Sequence, residues 1–392
     1  MHTAAPSPRL IALGLSLGAA VALGIARFSY ALLLVPMRTD LGWTYFLSGA
    51  MNTANALGYL LGALATPALL RRMSPRTLLL AGSLLTALFL LVAGIVTASP
   101  ALLVQRTLAG MSSAWIFIAG GILVSRLGSA HPSQAGLLLG LYYGGTGIGI
   151  VLSALIVPAV LAYAAQHALA HGWQWAWLAL AALCVLAMAG MAAASRHVPA
   201  PPAAVGEQAP FRARQFAYGL AGYFAFGVGY IGYMTFIVVL LKERGMATGA
   251  INLFYAMLGA AVIVSSFLWA RMLDRHKGGQ AMAVLNGLLG VATILPVLTN
   301  ALPAVLLSGL LFGAVFLSVV TSSTALVRHN LQPGAWAAGI SAFTIVFALG
   351  QIAGPSIVGA IADGSGLAPG LTFSAVTLFL GSALALRQRA LG

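Results

Sequence analysis

Charge is scarce in this chain, and negative charge is scarcer still. Only 6% of the 392 residues are charged, five are acidic, and 61% are hydrophobic. A soluble domain carries about a quarter charged residues, so most of these side chains require lipid around them rather than a protein core. The composition excludes an ordinary soluble enzyme or binding module and predicts a polytopic membrane protein.

Several kinds of site are excluded by what is missing. One cysteine, Cys184, rules out a disulfide within the chain, and its apolar neighbours predict a buried thiol. The histidines and acidic residues show no metal-ligand spacing, so we expect no metal or other cofactor. No His, Asp, Glu and Ser constellation falls at membrane depth, which argues against an enzyme. The net charge of +14 is not gathered in a basic run interleaved with aromatics, so we expect no nucleic-acid partner.

Long apolar runs recur along the whole chain, separated by turn signals or basic residues. Runs of about 20 apolar residues are typical of helices that cross a bilayer. The pattern predicts an all-α membrane protein with twelve transmembrane helices, near residues 10–37, 44–70, 76–97, 101–126, 133–164, 173–195, 215–241, 248–272, 279–299, 302–327, 334–362 and 367–387. Most of the 19 Lys and Arg residues flank these spans on the side that holds both termini. The positive-inside rule therefore predicts cytoplasmic termini.

A proline-rich stretch divides the spans into six and six. We expect an N-terminal six-helix half at 1–195, a cytoplasmic linker at 196–214 and a C-terminal six-helix half at 215–392, because proline disfavours a thirteenth helix. Four positions recur at a constant offset: Gly24, Arg27, Tyr30 and Gly42 return as Gly227, Tyr230, Tyr233 and Gly245. This suits parallel repeats about an axis along the membrane normal.

Two arginines, Arg27 and Arg106, fall inside apolar spans that hold no acidic residue at similar depth. A charge at the bilayer centre costs at least ~2.5–3.5 kcal/mol, so it needs a partner, water or a function. The guanidinium fork suits a carboxylate or phosphate. Arg27 is either a ligand or gating residue or a tether to helix carbonyls. Arg106 either lines the same polar cavity or is an interfacial anchor.

Polar and aromatic residues near these arginines complete the candidate binding set. Tyr30 follows Arg27 by three residues, and Tyr230 and Tyr233 repeat that spacing in span seven, where ordinary helix packing is the alternative. Asn52 and Asn55 share a helix face that we expect to point inward. The remaining candidate ligand contacts are Tyr142 and Gln351.

We predict no binding role for the histidines and tryptophans near the loops. His167 and His171 are loop histidines without metal-ligand spacing. Trp173, Trp175 and Trp177 are typical of an aromatic anchor at the membrane interface.

The twelve spans and several motifs resemble the major facilitator superfamily. The loop after span eight, with Asp274 and Arg275 followed by Lys277 and two glycines, is similar to a superfamily loop motif, and Arg106 with Gly110 is similar to its Arg-x-x-x-Gly motif. Spans one and two, through Gly24-Ile-Ala-Arg27 and the Asn52–Gly62 stretch, resemble the YbfB/YjiJ-type branch.

The resemblance implies transport by alternating access of two helical halves. It suggests gating roles for Asp274 and Arg275, and for Gly144, Gly354 and Pro355, because glycine and proline let helices approach and bend. The span-five glycines lack the proline of the superfamily's antiporter signature, whereas span eleven has it, so antiport is left open.

We expect a multi-pass, monomeric secondary transporter of the bacterial inner membrane that carries a small organic anion such as a carboxylate. Its partners are then the lipid bilayer and a small-molecule substrate. A coupling proton, a counter-transported anion and uniport all remain open. The alternative is an efflux pump for neutral or amphipathic compounds, in which the arginines are tethers.

Overall fold

A computed structural model describes residues 6–198 and 211–391, and these residues form helices and no strand. Within them, twelve helical segments are long and apolar enough to cross a membrane. The predicted all-α architecture with twelve spans is thereby confirmed. The cytoplasmic position of the termini and the boundary at 196–214 stay predictions, and residues 199–210 of that linker lie outside the described residues.

The helices group into two compact units. Unit 1 contains the described chain up to Gly42 and the helices from Ala54 onward in the first half, whereas unit 2 contains Trp43–Thr53 and the helices of the second half. The helix that begins at Tyr45 is thus divided between the units. Within the described residues, the first half of the chain contains a π-helix (Ala20–Phe28) and seven α-helices, of which α3 is the one divided between the units. The α-helices are α1 (Pro8–Ala19), α2 (Tyr30–Leu41), α3 (Tyr45–Leu70), α4 (Pro75–Ala93), α5 (Ser99–Ala130), α6 (Ala135–Gln166) and α7 (Gly172–Ser195).

Unit 2 adds seven α-helices to the first segment of α3. They are α8 (Ala217–Glu243), α9 (Thr248–Leu268), α10 (Ala270–Arg275), α11 (Gln280–Leu298), α12 (Leu302–Asn330), α13 (Pro333–Ser365) and α14 (Leu367–Leu386). In this unit α8 packs on α13 and α14, and α9 packs on α12. The predicted eighth span, 248–272, is interrupted near Trp269, where α9 ends and the short α10 begins.

Glycines allow two helix pairs to touch through their backbones. In unit 1, a Cβ on Gly24 would lie 2.5 Å from the Cα of Gly149, so the π-helix and α6 meet without side chains between them. In unit 2, a Cβ on Gly227 would lie 2.6 Å from the Phe347 carbonyl oxygen and 3.2 Å from the Cα of Gly350. Gly24 and Gly227 therefore have the same structural role in the two units, as their shared offset suggests.

The second recurring glycine pair ends helices. Gly42 follows α2 with φ +63°, and Gly245 follows α8 with φ +76°. Residues with a Cβ rarely adopt this left-handed backbone conformation, which is common just after a helix C-terminus. The two halves, in which these glycines recur at an offset of 203 positions, therefore resemble each other in backbone geometry as well as in residue type.

The first span is not one regular helix. Residues Ala20–Phe28 are π-helical, with α-helix on either side. A π-helix bonds each N–H to the carbonyl five residues earlier and is rare, often occurring at functional sites. The three-residue spacing of Arg27 and Tyr30 corresponds to one helix face only at 3.6 residues per turn, and Arg27 lies in the π-helix, where this geometry does not hold.

We expect Gly149→Ala to destabilise the protein, because its new Cβ meets the Ala20 carbonyl and the Cα of Gly24. Overpacking of this kind typically costs about 1–3 kcal/mol. Gly136→Ala is the matched control in the same helix, since nothing lies within 4 Å of the Cβ it adds. Thermal unfolding in detergent should show a lower Tm for Gly149→Ala only. Equal Tm values for both variants would contradict the close backbone contact.

Candidate functional site

Arg106 is buried inside unit 1, with 2% of its surface exposed. Its Nη1 donates a hydrogen bond of 2.9 Å to the Ala26 carbonyl oxygen, in the π-helix. Its Cζ lies 4.8 Å from the centre of the Tyr30 ring and 5.9 Å from that of Trp177. The guanidinium is therefore held by a carbonyl and by aromatic faces, which attract cations. This position is not that of an interfacial anchor whose charged group reaches water.

Arg27 is the residue after the carbonyl that Arg106 binds, and it is also buried, with 3% exposed. Its Cζ lies 5.9 Å from the ring centres of both Phe28 and Tyr59. The two arginines therefore occupy one region of unit 1. Guanidinium groups stay protonated in proteins, so this region carries two positive charges.

Hydrogen bonds join three helices, α3, α5 and the π-helix, in this region. Asn55 of α3 donates from Nδ2 to the Arg106 carbonyl oxygen at 3.2 Å, and the Arg106 side chain then reaches Ala26 in the π-helix. Close packing supports the first link, because a Cβ on Gly110 would collide with the Asn55 carbonyl. The inward position predicted for Asn55 is confirmed, and its partner is the backbone of Arg106.

Negative charge in the described residues is confined to helix ends. Asp40 lies near the end of α2, Glu243 ends α8, Asp274 lies in α10, and Asp363 lies near the end of α13. Arg27 and Arg106 lie within helical segments that are apolar enough to span a membrane, where an unmatched charge costs free energy. Unit 1 therefore presents a region that favours negative charge.

Unit 2 has no arginine at the position equivalent to Arg27 and instead contains stacked aromatic rings. Neighbouring rings of this aromatic stack are tilted by only 8–26° from one another, with centres 4.2–6.0 Å apart. Its members are Tyr223, Phe226, Tyr230 and Tyr233 of α8, Phe312 and Phe316 of α12, and Phe347 of α13. The α8 residues follow the three- and four-residue spacing of one helix face.

Polar groups next to the aromatic stack are hydrogen-bonded. The Tyr233 hydroxyl lies 2.7 Å from Ser308 Oγ, and Ser308 donates to the Ala292 carbonyl at 2.6 Å. Asn52 donates to Thr235 Oγ1 at 2.8 Å. Asn52 and Asn55 are both buried as predicted, but Asn52 binds a unit 2 helix whereas Asn55 binds a unit 1 helix.

The other predicted site residues lie in several places. Tyr142 is buried in unit 1 and donates to the Phe117 carbonyl at 2.8 Å, and Gln351 is buried in α13.

Among the gating candidates, Gly144 is buried in α6, and a Cβ on Gly354 would lie 2.5 Å from the Val228 carbonyl. The remaining gating candidates are Pro355 inside α13 and the exposed Asp274 and Arg275 in α10. Their roles in binding and gating stay predictions.

The interpretation of the tryptophans as one interfacial anchor is wrong for two of the three. Trp175 is 47% exposed, but Trp173 and Trp177 are buried. The Trp173 indole donates to Asp40 Oδ2 at 2.6 Å, and His171 Nδ1 lies 2.6 Å from the same oxygen. Trp173 and His171 thus fasten the start of α7 to the end of α2, since a buried indole N–H needs an acceptor.

Two residues beside the arginines, Tyr59 and Trp177, are not among the predicted binding residues. Tyr59 follows Asn55 by four residues, so helical spacing places it on the same face. Trp177 follows Trp173 by four residues, and its ring lies beside Arg106. The spacing signal existed for both, but only tertiary packing identifies Arg27 and Arg106 as their neighbours.

A family model described as "Uncharacterised MFS-type transporter YbfB" matches residues 19–386 of this chain. No curated protein matches it. Among solved structures, a bacterial homologue of the human lysosomal transporter Spinster, inward-facing and unoccupied, is 16% identical with a TM-score of 0.73, covering 98% of this chain and 99% of that one. The nucleoside transporter NupG is 15% identical with a TM-score of 0.68, covering 95% and 97%.

The human organic anion transporter MFSD10 is also similar. It is 18% identical with a TM-score of 0.63, and the match covers 97% of this chain and 100% of that chain. At these identities the likenesses show a shared fold across essentially the whole length of each protein.

We expect the Arg106–Tyr30 contact to contribute about 0.5–2 kcal/mol to stability, because the guanidinium lies over the ring in a region shielded from water. A double-mutant cycle with Arg106→Met and Tyr30→Leu measures this coupling through the free energy of unfolding. The control cycle pairs Tyr30→Leu with Arg71→Met, at the exposed end of α3, and should be additive. Additivity in both cycles would show that the ring does not stabilise the cation.

Proposed function

The chain belongs to the YbfB-type family of major facilitator transporters, and we propose that it carries a small organic anion across the membrane. Transport, rather than enzymatic catalysis, is what the family and the fold show. The proposal adds a substrate class, for which we favour a carboxylate. The observation that carries it is the burial of Arg27 and Arg106 in one region of unit 1.

The two arginines have different tasks in this proposal. Arg106 is occupied by the Ala26 carbonyl and the Tyr30 ring, so it holds the π-helix in register. Arg27 comes next in the chain, and we assign it the contact with the anion, because its forked donors match a carboxylate. Substitution of Arg106 should therefore act on the anion through the placement of Arg27.

Charge favours an anion over a cation. The acidic residues of the described chain lie at helix ends, and a cationic drug at the depth of Arg27 would meet two positive charges. The MFSD10 structure is named for an organic anion transporter, which is compatible with this assignment. We place the protein in a bacterial inner membrane, with alternating access between the two units. Coupling to a proton on the substrate itself or to a second anion fits the same charges.

One observation favours a second candidate. The aromatic stack of unit 2 offers parallel ring faces that suit a planar or amphipathic compound. An efflux pump for such compounds would use this stack for binding and the arginines as tethers only. The two candidates differ in whether binding depends on Arg27.

We expect carboxylates to raise the Tm of the wild-type protein in lipid nanodiscs and to lose this effect in Arg27→Gln. A ligand at 100 times its Kd stabilises by about 2.7 kcal/mol, which a thermal shift detects. The panel contains mono- and dicarboxylates, phosphonates, amines and hydrophobic drugs. Arg71→Gln removes an exposed arginine and should respond as the wild type does.

Arg27→Lys separates charge from shape, because lysine keeps the cation and loses the planar fork. We expect carboxylates to bind this variant at least tenfold more weakly than the wild type, as measured by titrated thermal shifts. Carboxylates that stabilise Arg27→Gln as well as the wild type would contradict the proposal. Stabilisation by drugs that is insensitive to Arg27 would instead support the efflux candidate.

A further inference from the structure

The first turn of α3 is capped by a residue from the other end of the chain. The Asp363 carboxylate accepts hydrogen bonds from the backbone N–H groups of Tyr45, at 2.7 Å, and Phe46, at 2.8 Å. Thr44 Oγ1 accepts the next one, from Leu47, at 3.1 Å. The N–H groups at a helix start have no partner within the helix, so a charged cap from a distant residue ties that start to its own helix, here α13.

A second acidic residue converges on the same turn. The Tyr45 hydroxyl is hydrogen-bonded to Glu243, the last residue of α8. The chain has only five acidic residues, and two of them thus meet the first residue of α3. Tyr45, Glu243 and Asp363 all belong to unit 2.

Contacts along the next two turns fasten the same segment to α13. Thr53 Oγ1 donates to the Ile352 carbonyl at 2.7 Å and lies 2.8 Å from Ser356 Oγ. A Cβ on Gly49 would collide with the Pro355 carbonyl, so the two backbones touch. The segment Trp43–Thr53 is consequently part of unit 2, whereas α3 from Ala54 onward belongs to unit 1.

We propose that Asp363 is a positioning residue of the transport cycle: its carboxylate fastens the 43–53 segment of α3 to α13, and release of this cap frees the segment as the transporter changes conformation. α3 is one continuous helix that belongs to both units, so movement of one unit alone strains the contacts at its first turns. The charged groups at this first turn are the carboxylates of Glu243 and Asp363, and Asp363 is the one that caps the helix from α13. The inference rests on transport by alternating access and not on the nature of the substrate.

Cross-linking tests the proposal directly. Thr53→Cys and Ser356→Cys replace two hydroxyls that are 2.8 Å apart, and Cys184→Ala removes the one native thiol. In proteoliposomes treated with copper phenanthroline, we expect rapid disulfide formation between the two introduced cysteines. Adding Asp363→Asn should slow this reaction by about fivefold, since the amide has one acceptor oxygen where the carboxylate has two and carries no charge. Asp363→Glu keeps the carboxylate and should restore much of the rate.

Hydrogen exchange measured by mass spectrometry gives a second readout without introduced cysteines. In Asp363→Asn, peptides covering 43–53 should exchange faster, whereas peptides from α4 in unit 1 should not change. The matched control is Ser365→Ala, which removes an exposed hydroxyl from the same end of α13 and should leave both readouts as in the wild type. Unchanged α4 exchange also shows that the variant is folded.

The outcomes decide the proposal without a ligand. Slower cross-linking and faster exchange confined to the 43–53 segment would support it. Wild-type rates in Asp363→Asn would overturn it, and so would equal effects of Asp363→Asn and Ser365→Ala. Because no anion is added, failure of the anion proposal leaves these readouts unaffected, and the two proposals are tested separately.

Discussion

The hydrogen bond from Arg106 to the Ala26 carbonyl is the interaction on which the candidate site depends. It joins α5 to the π-helix at the carbonyl that precedes Arg27. A π-helical stretch is strained relative to an α-helix and persists where its surroundings stabilise it. Here a buried guanidinium and the close contact of Gly24 with Gly149 both act on the same nine residues. The guanidinium itself lies over the ring of Tyr30, just beyond the π-helix. The position of Arg27 follows from their combined effect.

The two units use related backbones for different chemistry. Gly24 and Gly227 permit the same type of helix contact, and Gly42 and Gly245 end helices in the same left-handed conformation. Between these fixed points the side chains diverge, with Arg27 in unit 1 and Tyr230 in unit 2 at the same offset. The shared glycines preserve the scaffold, and the residues between them determine that one unit is cationic and the other aromatic. A repeat can change its chemistry in this way without changing its packing.

Much of the fold could be predicted from the sequence, because twenty-residue apolar runs have few structural solutions in a bilayer. The burial of Arg27, Asn52 and Asn55 also follows from the cost of polar groups in lipid. The π-helix could not be predicted, since its register is set by what packs against it rather than by residue type. The hydrogen-bond partners of Asn52 and Asn55 could not be predicted either, because these residues are three apart on one helix and yet bind helices of different units. The hydrogen bond of Asp363 to the start of α3 could not be predicted for a similar reason, since it joins residues more than three hundred positions apart.

The burial of two arginines in one unit has an electrical consequence. A membrane potential acts on each elementary charge within the bilayer with about 2.3 kcal/mol per 100 mV across the full field. Arg27 and Arg106 carry two such charges in unit 1, and the equivalent position of Arg27 in unit 2 is the neutral Tyr230. In the proposed transport cycle, any movement of unit 1 along the field would therefore be driven by voltage, and a bound monovalent anion would cancel half of that force. The empty and loaded forms of the proposed carrier would consequently differ in how strongly the membrane potential moves them.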